Sequence, residues 1–484
     1  MSLSRVAALG IIPLAFGVSA ACGSSTVTDQ ASGTAGAGGT TATTTSTTGT
    51  TKTTTTTTGA GGSGGGEGMA SNTYPGPFPM PPQVVNGGGP VLASPKIVPV
   101  VFTDDTDTTM VAQIEDFVAK VGATAYWAAA VTEYGVGPAT GETPVVVVDP
   151  AAPSNTITDA EIQTWLAGIL NSNDPAWPAA DDNTVYALFF PLGVTIMSGT
   201  SASCTAFGGY HDNITLDANH GTLNVAYAVV PRCGGDVGAG GAGGAGGANF
   251  DGFVGIDAVT GAASHELVEA ATDPYPSTNP AYVEVDEAHF YWDRALGGGE
   301  VGDMCAQFDG SFTRFSELPY LVQRIWSNKA ALAGQEPCVP PLPGEVYFNA
   351  APVLNDTIDV MVDGQTVPEL GAKIAIGSSG AIDLDLFSDA STDGPFIVHV
   401  DDLEALDTGG APLLKFAFDK QDPIVACPTG DPPGAVCASG SNGQKLHLIV
   451  TAVAAGKHGT ASFFVVSQRA GDPNERIWVG MVGQ

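Results

Sequence analysis

The stretch "ASHELVEAATDP", residues 263–274, carries His265, Glu266 and Glu269. On a helix, residues four apart lie one above the other on the same face. His265 and Glu269 could then bind one cation, because imidazole nitrogen and carboxylate oxygen are both ordinary zinc ligands. In the common zinc-protease helix a second His stands where this chain has Glu269. Glu266 sits about 100° around the helix from His265. In such a helix the Glu after the first His takes the proton from metal-bound water. The competing readings are a decayed site and an ordinary amphipathic helix.

A catalytic zinc takes a third protein ligand and keeps a position open for water. The segment "GGGEVGDMC", residues 297–305, offers that ligand. Asp303 is the first choice and Glu300 the second, with His289 in "DEAHFYWD" a further candidate. His211 in "GGYHDN" is placed on the substrate side, near Cys204. Asp273 reads as a helix-end group or as a hydrogen-bond partner of His265. Ser264 is no nucleophile, since neighbours on a helix do not face each other and no G-x-S-x-G elbow is present.

The rest of the chain must position these groups. "KIVPVVF" (96–102), "TPVVVVD" (143–149), "TVYALFFPL" (184–192) and "TLNVAYAVVP" (222–231) read as buried strands. Between them, "MVAQIEDFVAKV" (110–121) has apolar residues at helical spacing. "TDAEIQTWLAGIL" (158–170) opens with a capping box of Thr158 and Glu161. Strands alternating with helices predict an α/β core. The helix of the opening runs from about Asp257 to Thr272, and Asp273-Pro274 ends it. The Gly-rich run 234–249 lacks the Lys-Ser/Thr ending of a phosphate loop and reads as a surface insertion. After Pro340-Pro341 come short alternating segments such as "AIDLDLFS" and "KLHLIVTAVA". They predict an all-β, immunoglobulin-like sandwich of about 140 residues.

The first residues read as an export signal: Arg5, an apolar run from Val6 to Val18, then small residues before Cys22. Cys22 is placed as the lipid-modified N-terminus of a bacterial lipoprotein, with simple secretion as the alternative. The Thr, Gly and Ser of residues 23–73 form a disordered tether. The expected domains are therefore 1–22, 23–73, 74–340 and 341–484. Six further cysteines in an exported chain point to disulfides, with about 15 connectivities open. Nearest-neighbour pairing is expected: Cys204 with Cys233, Cys305 with Cys338, and Cys427 with Cys437. The 16 Lys+Arg against 50 Asp+Glu give a net charge of −34, which excludes nucleic acid as a partner.

The order of "GGGPVLASPKIVPVVF", "IEDFVAKV", "YWAAAVTEYGVG", "FGGYHDN", "VAYAVVPRC" and "SHELVEAATDP" resembles the phosphate-induced, EXORDIUM-like family of secreted proteins. The resemblance covers about residues 87–338. It implies an extracytoplasmic, Cys-containing domain and brings no reaction with it. The plant pattern resembles "HELAGTVTNP", with Gly in place of Glu269 and Asn in place of Asp273. Bacterial relatives with a Glu-x-Gly-Asp-x-Cys segment resemble this chain more, and that form is similar to a zincin-like metallohydrolase helix.

Together these features give two expectations. One is an envelope-anchored, zinc-dependent hydrolase, a peptidase, with Zn2+ on His265, Glu269 and Asp303 and with Glu266 as base. The other is a non-catalytic adhesion lipoprotein with a structural metal or none. The expected partners are the membrane, through the lipid anchor, and an extracellular peptide or cell-wall polymer. The expected location is the bacterial envelope, as an outer-membrane lipoprotein or a secreted chain.

Overall fold

The computed structural model describes residues 69–484 except 152–153, 234–252, 363–364, 430, 433 and 473. The export signal, Cys22, residues 23–68 of the tether and the Gly-rich insertion lie outside these residues. No helix among the described residues is long and apolar enough to cross a membrane.

The first layer is a six-stranded sheet. Lys96–Phe102 lies at its centre, flanked on one side by Thr140–Gly141 and Val145–Val147. On the other side follow Thr184–Phe189, Asn224–Val230 and the edge strand Tyr210–Thr215. All pairings are parallel except that of Tyr210–Thr215 with Asn224–Val230. The middle strands are apolar at nearly every position because both faces are covered, as parallel sheets require. Side chains alternate across the sheet. Ile97, Val101, Val185, Ala187, Ala226 and Ala228 belong to the core beneath helices α1 (Thr108–Val121), α2 (Ala125–Val131) and α4 (Ile256–Thr272). Val98, Val100, Tyr186, Leu188, Tyr227 and Val229 pack with Ile162, Leu166 and Leu170 of α3 (Asp159–Asn171). The capping box of α3 forms as the sequence predicts, Thr158 with Glu161.

Helix α4 is the element that the amphipathic reading misjudges. Every residue from Val259 to Thr272 is buried, Glu266 and Glu269 included. A helix buried all round should be apolar all round. Its small residues Gly261, Ala262, Ala263, Ala270 and Ala271 let neighbouring elements come close, while Leu267 and Val268 contribute about 1.5–3 kcal/mol each on burial. That apolar burial offsets part of the several kcal/mol that each desolvated carboxylate costs. The helix ends at Asp273, whose φ of −141° lies outside the helical range, as expected of a residue before proline.

Beyond Pro340 the chain forms two further sheets. One orders Phe348–Pro352, Ser379–Ser388, Lys445–Ala452 and Leu414–Phe418, all antiparallel. The other has seven strands, from Asp356–Val362 through Arg476–Gly483 and Thr460–Gln468 to Ile424–Val425. In Lys445–Ala452 every second residue is buried, the pattern of a sheet covered on one face. Phe348 meets Phe396 at 5.1 Å and Phe416 meets Phe463 at 5.7 Å, which ties the two sheets together. All described residues fall in one compact unit. Trp292 packs edge-on to Trp478 at 5.6 Å across the join. Residues 71–76, which the sequence reading divides between tether and first domain, are held by Asn442. Its Nδ2 donates to the Ser71 and Thr73 carbonyls, and its Oδ1 accepts from Gly76 N.

The three disulfides are Cys204–Cys233, Cys305–Cys338 and Cys427–Cys437. They fit an oxidising, extracytoplasmic compartment.

Candidate metal centre

His265 and Glu269 point the same way from α4. His265 Nε2 lies 3.0 Å from Glu269 Oε2 and 3.5 Å from Asp303 Oδ1. One atom from each of the three lies within 4.8 Å of the others. Two ligands about 2.0–2.1 Å from a tetrahedral zinc are separated by about 3.3–3.4 Å, so the 3.5 Å to Asp303 matches a ligand shell, while the 3.0 Å to Glu269 is also the length of a hydrogen-bonded ion pair.

Asp303 reaches the helix because the loop before it can come very near. A Cβ on Gly302 would sit 2.6 Å from Glu269 Oε1 and 2.8 Å from His265 Nδ1; one on Gly298 would sit 1.9 Å from Asp303 Oδ2. Neither glycine has a positive φ. They serve close approach rather than a turn; of the three glycines 297–299, Gly297, with φ of 89°, closes the helix Tyr291–Leu296. The approach lets the backbone N–H groups of Gly302 and Asp303 donate to Glu269 Oε1 at 3.1 and 3.2 Å. Oε1 is thereby occupied, and Oε2 is left facing the imidazoles. Cys305–Cys338 anchors the loop to the strand Cys338–Val339, which pairs with Ile325–Trp326.

The other nitrogen of His265 has a partner that the sequence reading does not contain. His265 Nδ1 is 2.8 Å from Gln323 Oε1, while Gln323 Nε2 donates to the Gly302 carbonyl at 2.5 Å. An amide oxygen only accepts, so Nδ1 carries a proton and Nε2 is the nitrogen that faces Glu269; a cation bound there would displace the Nε2 proton that the neighbouring carboxylates favour. This is the arrangement by which metal-bound imidazoles are oriented. Gln323 is itself fixed: its N–H donates to Ser264 Oγ at 2.9 Å and its carbonyl accepts from Tyr126 Oη at 2.7 Å. Ser264 therefore braces the centre, with its hydroxyl donating to the Gly261 carbonyl. No sequence spacing reveals Gln323, which lies 58 residues from His265.

His211 is also brought into the cluster, although its sequence placement is the substrate side. Its Nδ1 lies 3.6 Å from Glu266 Oε2 and 3.8 Å from Glu269 Oε2; its Nε2 lies 3.5 Å from Glu300 Oε1. The edge strand Tyr210–Thr215 carries it in. Gly209 makes room, since a Cβ there would sit 2.6 Å from Glu266 Oε1. Asp273 serves His211 rather than His265: its carbonyl meets His211 Nε2 at 3.1 Å, and its Oδ1 accepts from Ala281 N at 2.7 Å. His289 pairs with Asp286 at 2.8 Å and joins none of the ligand groups among the described residues.

Burial opposes every charge here. It raises Glu300 and Asp303 well above the ordinary carboxylate range, and the Glu269 carboxylate beside them adds to the rise. Glu266 is also raised by burial, against the pull of His211 and His265. Glu269 goes the other way: burial pushes it up, but His265, His211 and the Asp303 N–H together outweigh burial and hold it below the ordinary range. Burial would lower both imidazoles. Glu269 chiefly overcomes that at His265, raising it well above its ordinary value. Glu266 and Glu269 do so at His211, raising it to about 9. The most open side chains are Asp303 at 26% and Glu300 at 18% exposure, so solvent reaches the cluster past the 300–303 loop.

A third group, His399, Asp431 and Cys437, has ligand-like spacing. Cys437 is bonded to Cys427 and offers no thiolate.

No family model matches the chain, and no curated protein does. Solved structures do match, among them the ASH / PapD-like domain of human CEP192 (PapD-like domain 7). That match has 14% identity and a TM-score of 0.14, and it covers 30% of this chain and 88% of that one. At that TM-score the likeness carries no argument about fold or chemistry.

Proposed function

We propose that the chain is a metal-dependent hydrolase of the bacterial envelope, a zinc peptidase in its most specific form. The observation that carries this reading is the Gln323 amide, which holds the His265 proton on Nδ1 and turns Nε2 toward Glu269 and Asp303. Zinc suits one imidazole and two carboxylates, and when bound it would polarise a scissile carbonyl and lower the pKa of water. His265, Glu269 and Asp303 would hold it. Glu266 would take the proton of the attacking water, a role that its raised pKa suits. Glu269 would keep its place through the Gly302 and Asp303 N–H groups. A zincin-like helix, an EXORDIUM-like relation, lipidation at Cys22 and an immunoglobulin-like accessory sandwich belong to the same proposal. So does an extracellular peptide or wall polymer as substrate.

The second reading is a structural cation in an envelope adhesion protein. What favours it is the enclosure of the centre: His265 is 8% exposed and Glu266 4%. The variant Glu266→Gln separates the two. For a hydrolase it keeps its zinc and loses hydrolysis of a peptide library by about 10²–10⁴-fold, since Gln cannot accept the proton. Unchanged turnover, or no turnover by the native chain on peptides or wall polymer, sinks the hydrolase and leaves the structural ion.

A further inference from the structure

The five carboxylates around α4 exceed what one ion neutralises. Glu266, Glu269, Asp273, Glu300 and Asp303 surround two imidazoles. When the imidazoles act as ligands they are neutral, and with all five carboxylates ionised one dication would leave three negative charges, to be offset by protons or by a second cation. Uncompensated buried charge is strongly unfavourable. A second dication would leave one.

The geometry offers a second place. His211, Glu269 and Glu300 each present a ligand atom within 4.8 Å of the others. This set overlaps the first only at Glu269. Glu300 Oε1 is buried without a hydrogen-bond partner, 3.5 Å from His211 Nε2. An unsatisfied buried carboxylate oxygen calls for an explanation, and a cation beside it is the simplest. The carboxylate of Glu269 is suited to sharing, because backbone donors hold Oε1 while Oε2 faces His265 at 3.0 Å and His211 at 3.8 Å. His211 is steadied much as His265 is: its Nε2–H donates to the Asp273 carbonyl, which leaves Nδ1, 3.8 Å from Glu269 Oε2, as the nitrogen that can ligate.

We propose that the centre binds two divalent cations, the second held by His211, Glu269 and Glu300, with Glu269 bridging the pair. The inference rests on the metal reading above for its first ion. Two-metal hydrolases hold their ions about 3.5–4 Å apart and clamp both the attacking and the leaving oxygen. In that arrangement His211 and Glu300 would belong to the binding machinery rather than to the substrate wall.

The test is ion counting on the full chain, with Zn2+ and Co2+ as probes. The native chain and Glu300→Gln are dialysed against each metal and assayed for bound equivalents, with circular dichroism to verify folding. His211→Ala serves as the second variant, should Glu300→Gln fail to fold. The expected counts are two in the native chain and one in the folded variant. With Co2+, the second equivalent should quench the electron paramagnetic signal of the first, as spin coupling through a shared carboxylate requires, and the variant should show no quenching. One equivalent in the native chain overturns the second ion and leaves the first standing. Zero equivalents overturn the metal reading of the whole site. Two equivalents in both proteins, or two without quenching, place the second ion elsewhere and overturn the assignment.

Discussion

Two buried charge clusters of this protein differ in one respect: their balance. At the join with the sandwich, Arg324 and Arg476 meet Glu336 and Glu345, all at most 7% exposed. Glu345 bridges both guanidinium groups, at 2.9 Å to Arg324 and 2.8 Å to Arg476, and Arg324 also donates to the Pro340 carbonyl. Cations and anions match in number, and guanidinium geometry suits a carboxylate. Around α4, five carboxylates meet only two imidazoles. A balanced cluster is complete as folded, whereas an unbalanced one has chemistry left to do, with a proton or a metal ion. His399, Asp401 and Asp431 form a smaller third case, in which the cysteine beside them is locked in a disulfide.

The largest expected effect lies in the balanced cluster. Arg324→Met should destabilise the protein by about 3–5 kcal/mol, because it strands buried carboxylates. Denaturant melts would show this, with the bound-metal count unchanged. A neutral result would mean that the join is not held by charge balance. Next comes chelation. With free ion at a hundred times its Kd, removing it should cost about 2.7 kcal/mol. EDTA should therefore lower the Tm of the native chain and leave that of Glu269→Gln alone. An equal drop in both would sever the link between charge excess and metal.

A smaller effect tests how the imidazole is oriented. Gln323→Leu removes the acceptor at His265 Nδ1 and should weaken metal affinity about 10–100-fold. A competition titration with a chelating dye reads that directly, and unchanged affinity would make Gln323 a packing residue only. The smallest effect is a control outside both clusters. Asp407 is half-buried, and burial together with Glu404 and Asp402 raises its carboxyl to about 7. A carboxyl raised on folding adds stability that is fully present below its unfolded pKa and is lost as pH rises through about 7. Asp407→Asn should therefore raise the Tm slightly at pH 8 and leave it unchanged at pH 4. A rise equal at both values would show that its charge is not the cause.

Much of the local structure is legible in the sequence. The apolar runs at 96–102, 184–192 and 222–231 form Lys96–Phe102, Thr184–Phe189 and Asn224–Val230 in the sheet interior, whereas the run at 143–149 forms only Val145–Val147, with Val146 and Val148 exposed. Thr158 and Glu161 specify a helix start through hydrogen bonds that span three residues. The nearest-neighbour cysteine pairs are the ones that form. The helix of residues 256–272 is also legible, but its burial is not, since Glu at two positions reads as a polar face until a loop covers it.

The sequence alone determined what could be written in short-range terms. His265 and Glu269 share a helix face because a turn has 3.6 residues, Asp273-Pro274 stops that helix, and the excess of acid lies beyond residue 103. Only the tertiary structure decided which distant groups complete the site. Gln323, His211 and Asp303 come from three separate segments, 58, 54 and 38 residues from His265 by numbering. Their convergence depends on close backbone approach at Gly209, Gly298 and Gly302, where a Cβ would strike a carboxylate. A glycine in a sequence does not say whether it serves a turn or an approach, because the atom it must avoid belongs to another part of the fold.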